Sequence, residues 1–169
     1  ALVWLGFRQA RRTARAFGYA LLLLAGGALL WANERHGLPR SVLDPLLFNG
    51  VLVALAALAA ALFVRRHAAA KPGESVAEVL LIGWATLWLV IVAGQEIVHF
   101  VAPELRLAAA LGAASLVALL YTGLAWRFDW RTVALPVAAH ALVLLVGVAH
   151  LAVTPDNPLA YGGGWAWPA

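Results

Sequence analysis

Glu96 and His99 lie three residues apart, a spacing that puts a carboxylate and an imidazole on one face of a helix. Such a pair can move a proton or hold a metal ion. Helical-bundle carboxylate sites use this Glu-x-x-His spacing, but they need it twice together with further glutamates. Only one copy stands here. Trp84, Trp88, Gln95 and His99 fall on one helical stripe at about 100° per residue, with Glu96 beside it. His150 ends a later apolar run on the same side, so Glu96, His99 and His150 are the candidate catalytic set. The plainer expectation is that Glu96 and His99 sit at a water–lipid boundary and bond to each other, to loops or to headgroups. His140 lies deeper and ten residues from His150, so the two point to different faces. His140 is expected to be a packed histidine hydrogen-bonded to a neighbouring helix. Asn49, beside Gly50, is expected to cap or cross-link helices, with a substrate contact as the alternative.

The elements that would position these residues are set by composition. Hydrophobic residues make up 64% of the 169-residue chain and charged residues 12%. Mean hydropathy is +0.87. Soluble domains are roughly 45–50% apolar and about 25% charged. That balance rules out disorder, which needs few apolar residues. It calls for a lipid solvent. The chain is basic, but its cations come in short clusters between apolar runs, which is a topology signal rather than a nucleic-acid footprint.

Five runs approach the roughly 20 apolar residues a spanning helix needs. They are 17–32, 46–64, 79–101, 107–126 and 132–153. Alternation of apolar and polar residues, the mark of a membrane strand, is missing from stretches such as Ala20–Leu30. Within lipid each segment must satisfy its own backbone, which leaves helices. The expected fold is therefore all-α, a polytopic transmembrane bundle of about five spanning helices forming one region. Residues 1–7 and 165–169 read as partial helices of a longer parent protein. Proline and glycine punctuate the linkers, at Pro39, Pro45, Pro72, Pro103 and Gly162–Gly164.

Arginine and lysine divide unequally between the two sides. Arg8, Arg11, Arg12, Arg15, Arg65, Arg66, Lys71, Arg127 and Arg131 share one side, against Arg35, Arg40 and Arg106 on the other. The rule that short cytoplasmic loops are basic makes the Arg8–Arg15 loop cytoplasmic and the Thr154–Gly164 loop extracytoplasmic. Arg11-Arg12 could open a secretory signal, but apolar Ala1–Phe7 precedes it and no small-residue cleavage site follows Trp31. Trp31, Trp126, Trp130, Trp165 and Trp167 stand at run ends, where indoles occupy the headgroup level. Small residues offer contact faces at Ala110, Ala114, Ala118 and Thr122, at Ala56 and Ala60, and at Gly26-Gly27.

Enzyme signatures are sparse. Cysteine is absent, which removes thiolate chemistry and disulfides. No phosphate loop, H-E-x-x-H or nucleophile elbow occurs. No cofactor and no metal site is expected. Eleven arginines to the single Lys71, with abundant alanine, point to a GC-rich bacterial source.

Two stretches carry a family resemblance: Arg8-Gln9-Ala10-Arg11-Arg12 through Arg15-Ala16-Phe17-Gly18, and Asn157-Pro158-Leu159-Ala160-Tyr161-Gly162-Gly163-Gly164-Trp165-Ala166-Trp167-Pro168. Together they resemble a large family of predicted bacterial multi-pass membrane proteins of unknown function, the DUF 2339 type. The resemblance implies an internal piece of a long protein and supplies no catalytic residues. The functional expectation is an inner-membrane bundle with a scaffold role in the cell envelope. Its partners would be the bilayer and the parent's remaining helices, with no nucleic acid. The alternatives are part of a solute or ion transporter, or an envelope enzyme with an outer-leaflet Glu/His site.

Overall fold

The computed structural model describes residues 12–36, 45–67 and 72–153. The expected partial helices at 1–7 and 165–169, the loop 154–164, and Trp165 and Trp167 lie outside the described residues. Five α-helices appear in the order expected: α1 (Arg12–His36), α2 (Pro45–His67), α3 (Pro72–Phe100), α4 (Arg106–Phe128) and α5 (Ala134–Val153). Short 3-10 turns at Pro103–Leu105 and Arg131–Val133 precede the last two helices. Among the described residues there is no strand.

The first four helices outrun their apolar runs because helix geometry tolerates polar ends that hydropathy counting leaves out. α1 reaches back through Arg15, and α3 starts seven residues before Val79. Proline opens α2 and α3, where its missing N–H is no loss and its fixed φ suits the first turn. Pro136 occupies the first turn of α5 for the same reason. Four segments are long and apolar enough to cross a membrane: Thr13–Asn33, Pro45–His67, Val76–Phe100 and Pro103–Phe128. The stretch Arg131–Gly147 is apolar but shorter.

The chain divides into two compact units, one holding α1 to α3 and the other α4 and α5. In the first unit, Trp88 of α3 is the centre. A Cβ on Gly26 of α1 would lie 2.7 Å from Trp88 Nε1 and 2.6 Å from Trp84 Cζ2. On Gly50 of α2 it would lie 3.1 Å from Trp88 Cε3 and closer still to Val92 Cγ2. Two glycines from two helices therefore admit one indole. Lipid tails provide no hydrophobic drive for helix pairing, so close approach and van der Waals contact must hold such helices together.

The same contacts fix direction. Gly50, near the start of α2, meets Val92, near the end of α3, so these two helices are antiparallel. α1 and α2 are joined by eight residues, at most roughly 29 Å of chain and shorter than the roughly 34 Å of α2, so α1 is antiparallel to α2 and parallel to α3, with Gly26 against Trp84 and Trp88 at mid-height. The start of α1, the end of α2 and the start of α3 consequently share one end of the unit.

The contact face of α2 is Gly50, Ala54, Ala57, Ala61 and Val64, at alternating steps of four and three. Of the expected pair, Ala60 is buried but Ala56 is exposed. The face is set by Trp88, and Ala56 points away from it. In α1, Gly26 makes the contact, while nothing lies within 4 Å of a Cβ on Gly27. In α4 the small-residue row is only part-covered: Ala114 and Ala118 are half-buried, and Ala110 and Thr122 are exposed.

In the second unit, a Cβ on Gly147 of α5 would lie 2.8 Å from Leu111 Cδ2 of α4. Tyr121 meets His140 further along, so α4 and α5 are antiparallel. Asp129 ends α4 in the left-handed region, with φ 47° and ψ 48°. Aspartate tolerates this conformation better than most residues. The turn sends the Trp130 N–H back to Ala125 O at 2.8 Å. Trp130 is thereby only 1% exposed, beside buried Val133. Trp31 and Trp126, also at run ends, are exposed.

Candidate functional site

At the far end of α3, Glu96 is half-buried, and Gln95 and His99 are exposed. His99 Nδ1 lies 2.7 Å from Gln95 O. A carbonyl can only accept, so Nδ1 carries the hydrogen and donates it. His99 thus turns to its own helix instead of to Glu96. The stripe expected through Trp84, Trp88, Gln95 and His99 splits accordingly. Its tryptophan half faces the unit's core, and Gln95 and His99 in its polar half are exposed.

His150 lies on α5 in the other unit, and its side chain is outside the described part. Among the described residues, no group of three or more His, Cys, Asp or Glu side chains could hold a metal ion. Glu96 and His99 together supply at most two ligands, short of the three or four a protein metal site uses. Asn49 is exposed, while its neighbour Gly50 packs on Trp88. Among the described residues, no hydrogen bond joins Asn49 to another helix.

His140 is buried, but its hydrogen bond differs from expectation. Nδ1 lies 2.6 Å from Pro136 O, one turn back on α5 itself. The neighbouring helix supplies a ring instead: Tyr121 of α4 meets the imidazole edge-on, with centroids 6.3 Å apart and planes at 72°. An aromatic edge against a ring face is the favoured geometry for such a pair. Other polar groups within the spans are satisfied in the same local way. Thr86, Ser115 and Thr122 donate their hydroxyls to carbonyls four residues back, at 2.9, 2.9 and 2.8 Å. This back-bonding lets a hydroxyl sit in a helix without a partner elsewhere.

Two further features have no counterpart in the sequence reading. Glu78, in the second turn of α3, is 8% exposed and engaged in an interaction within the fold. It stands on the inward stripe 78, 81, 85, 88, 92, in steps of three and four, so helical spacing could have found it. The apolar run began one residue later, and that boundary hid it. Trp84 and Trp88 pack edge-on at 6.2 Å and 80°. Both indole N–H groups are buried with no acceptor among the described residues. Van der Waals packing against Gly26 and Gly50 holds these rings, and the unpaired donors subtract from it.

The arrangement therefore offers no assembled catalytic centre among the described residues. It offers a packed tryptophan–glycine core, a buried Tyr–His contact and a charged end at α2. The chain matches no protein-family model, no curated protein and no solved structure.

Proposed function

We propose that this chain is a membrane-embedded bundle with a scaffold role in a bacterial inner membrane, part of a longer multi-pass protein. One observation carries the reading: many large apolar side chains face outward, while the helices close on small residues around one buried indole. Leu24, Leu80, Leu116 and Leu145 are each about two-thirds exposed, while the core of the first unit is built on Gly26, Gly50, Ala54, Ala57 and Ala61. Water would penalise that surface; hydrocarbon does not. A transporter needs a polar path, but the buried polar side chains among the described residues are Glu78 and His140, one in each unit. The lopsided distribution of arginine supports a cytoplasmic Arg8–Arg15 segment and an extracytoplasmic 154–164 loop. On this reading α5 is the fifth crossing. The motifs at 8–18 and 157–168 support the proposed family of unknown function.

The envelope-enzyme alternative makes Glu96 and His99 indispensable, and the scaffold does not. Replacing both by Gln in the native host tests this, with growth, dye exclusion by the envelope and protein abundance as readouts. The scaffold reading expects all three unchanged. His99 is exposed and Glu96 half-buried, so stability should move by no more than about 0.5 kcal/mol. Loss of envelope integrity at normal protein abundance would contradict it in favour of a Glu/His site.

A further inference from the structure

We propose that the turn joining α4 to α5 binds the phosphate of an anionic phospholipid through Arg127 and Arg131, with an acyl chain along the outward face of α4. This names a partner for the membrane-bundle reading and rests on it. Arg127 and Arg131 are both exposed. Neither forms an ion pair among the described residues. Arg127 stacks over the Phe128 ring at 5.5 Å. Stacking uses the flat face of a guanidinium and leaves its in-plane N–H donors for an anion. Asp129, the acidic residue between the two arginines, has an interaction of its own within the fold.

The turn brings these groups together. The Trp130 N–H donates to Ala125 O at 2.8 Å. Trp126 and Arg131 each lie one residue from that bond, so their Cα atoms are no more than roughly 10 Å apart. Arg127 follows Trp126 directly. Trp126 is 90% exposed, and an indole on the outside of a membrane helix end belongs at the headgroup level. The dipole of α4 gives a local reason for Arg127, which stands in its last turn. It gives none for Arg131, which precedes α5 at the positive end of that helix's dipole. At the other end of α4, Glu104 is exposed, while Arg106 is half-buried and engaged within the fold. Among the described residues of this unit, the exposed cations are therefore confined to the α4–α5 turn.

The face leading away from Arg127 selects a lipid over a soluble anion. Leu116, Leu120, Gly123 and Arg127 follow at steps of four, three and four, so they share one face of α4. All four are exposed. Nothing lies within 4 Å of a Cβ on Gly123, so the face is open one turn from the arginine. A free phosphate would use the arginines alone. A phospholipid uses the whole stripe, with its headgroup on the cations and an acyl chain against Leu116, Leu120 and Gly123. Basic residues at the end of a membrane helix attract anionic headgroups.

Native mass spectrometry of the purified chain tests the site, with phosphatidylglycerol and phosphatidylcholine of identical acyl chains offered in equal amounts. The expected result is preferential retention of phosphatidylglycerol. R127Q/R131Q should weaken that preference on the order of thirtyfold, or about fivefold per arginine. R127K/R131K should keep it, because the charge remains. R35Q, on α1 in the other unit, should leave it unchanged. Arg131 is exposed, so R131Q alone supplies the fivefold step if the double variant fails to fold. Equal retention of the two lipids, an equal loss in R35Q, or displacement of bound phosphatidylglycerol by inorganic phosphate would overturn the headgroup site and leave the membrane-bundle reading standing. Retention of neither lipid would also overturn the site, and a chain that then stayed soluble without detergent would remove the membrane-bundle reading with it.

Discussion

Gly26→Ala is expected to destabilise the first unit by about 1–3 kcal/mol, while Gly27→Ala, one residue on, should stabilise it by up to about 1 kcal/mol. The opposite signs come from what each new methyl meets. At Gly26 it would sit 2.6 Å from Trp84 Cζ2 and 2.7 Å from Trp88 Nε1, distances real Cβ atoms do not adopt. Trp88 is fully buried between α1 and α2 and has nowhere to retreat. At Gly27 nothing lies within 4 Å, so only the helix-propensity gain of alanine is felt. Thermal unfolding of the two variants in detergent checks the pair. Equal shifts of the same sign would remove Gly26 from the α1–α3 contact.

Trp88→Ala should produce the largest loss, about 3–5 kcal/mol, because it empties the point where three helices meet. Gly26 and Gly50 lack side chains that could fill the space, so the cavity cannot close by rotamer changes. Trp88→Phe should cost clearly less. It keeps most of the packed ring and removes a buried N–H that has no acceptor among the described residues. Chemical denaturation in mixed micelles, followed by helical circular dichroism, would measure both. A Trp88→Ala variant as stable as the parent would mean that the helices associate through some other face.

The helices were legible because a spanning segment announces itself locally. Apolar runs of sufficient length need no knowledge of the rest of the chain. Their ends were less legible. Glu78 and Arg15 lie inside helices but outside apolar windows, so a hydropathy boundary cut them off. Gly26 and Gly27 are indistinguishable in sequence, and only the position of Trp88 on another helix separates them. The same holds for Ala56 and Ala60. Trp130 ends an apolar run, a position that says nothing about its burial. The left-handed Asp129 folds it inward, and no hydropathy pattern encodes that turn. His140 was correctly expected to be buried, but its acceptor is Pro136 O on its own helix. An imidazole four residues after a carbonyl can always bond locally, and that option competes with any partner across the bundle. Glu96 and His99 share a helix face as their spacing demands, yet His99 takes the same local option with Gln95 O.

Cysteine labelling tests the central claim most directly, since the chain has no cysteine of its own. Leu87→Cys and Leu116→Cys sit on exposed apolar faces of α3 and α4, Arg66→Cys at the end of α2, and Asp156→Cys in the 154–164 segment. With a membrane-impermeant thiol reagent on intact cells, Asp156→Cys should label at once and Arg66→Cys only after permeabilisation. Leu87→Cys and Leu116→Cys should stay unlabelled in both conditions, because hydrocarbon surrounds them. Ready labelling of those two positions by the water-soluble reagent would place them in water and contradict the account.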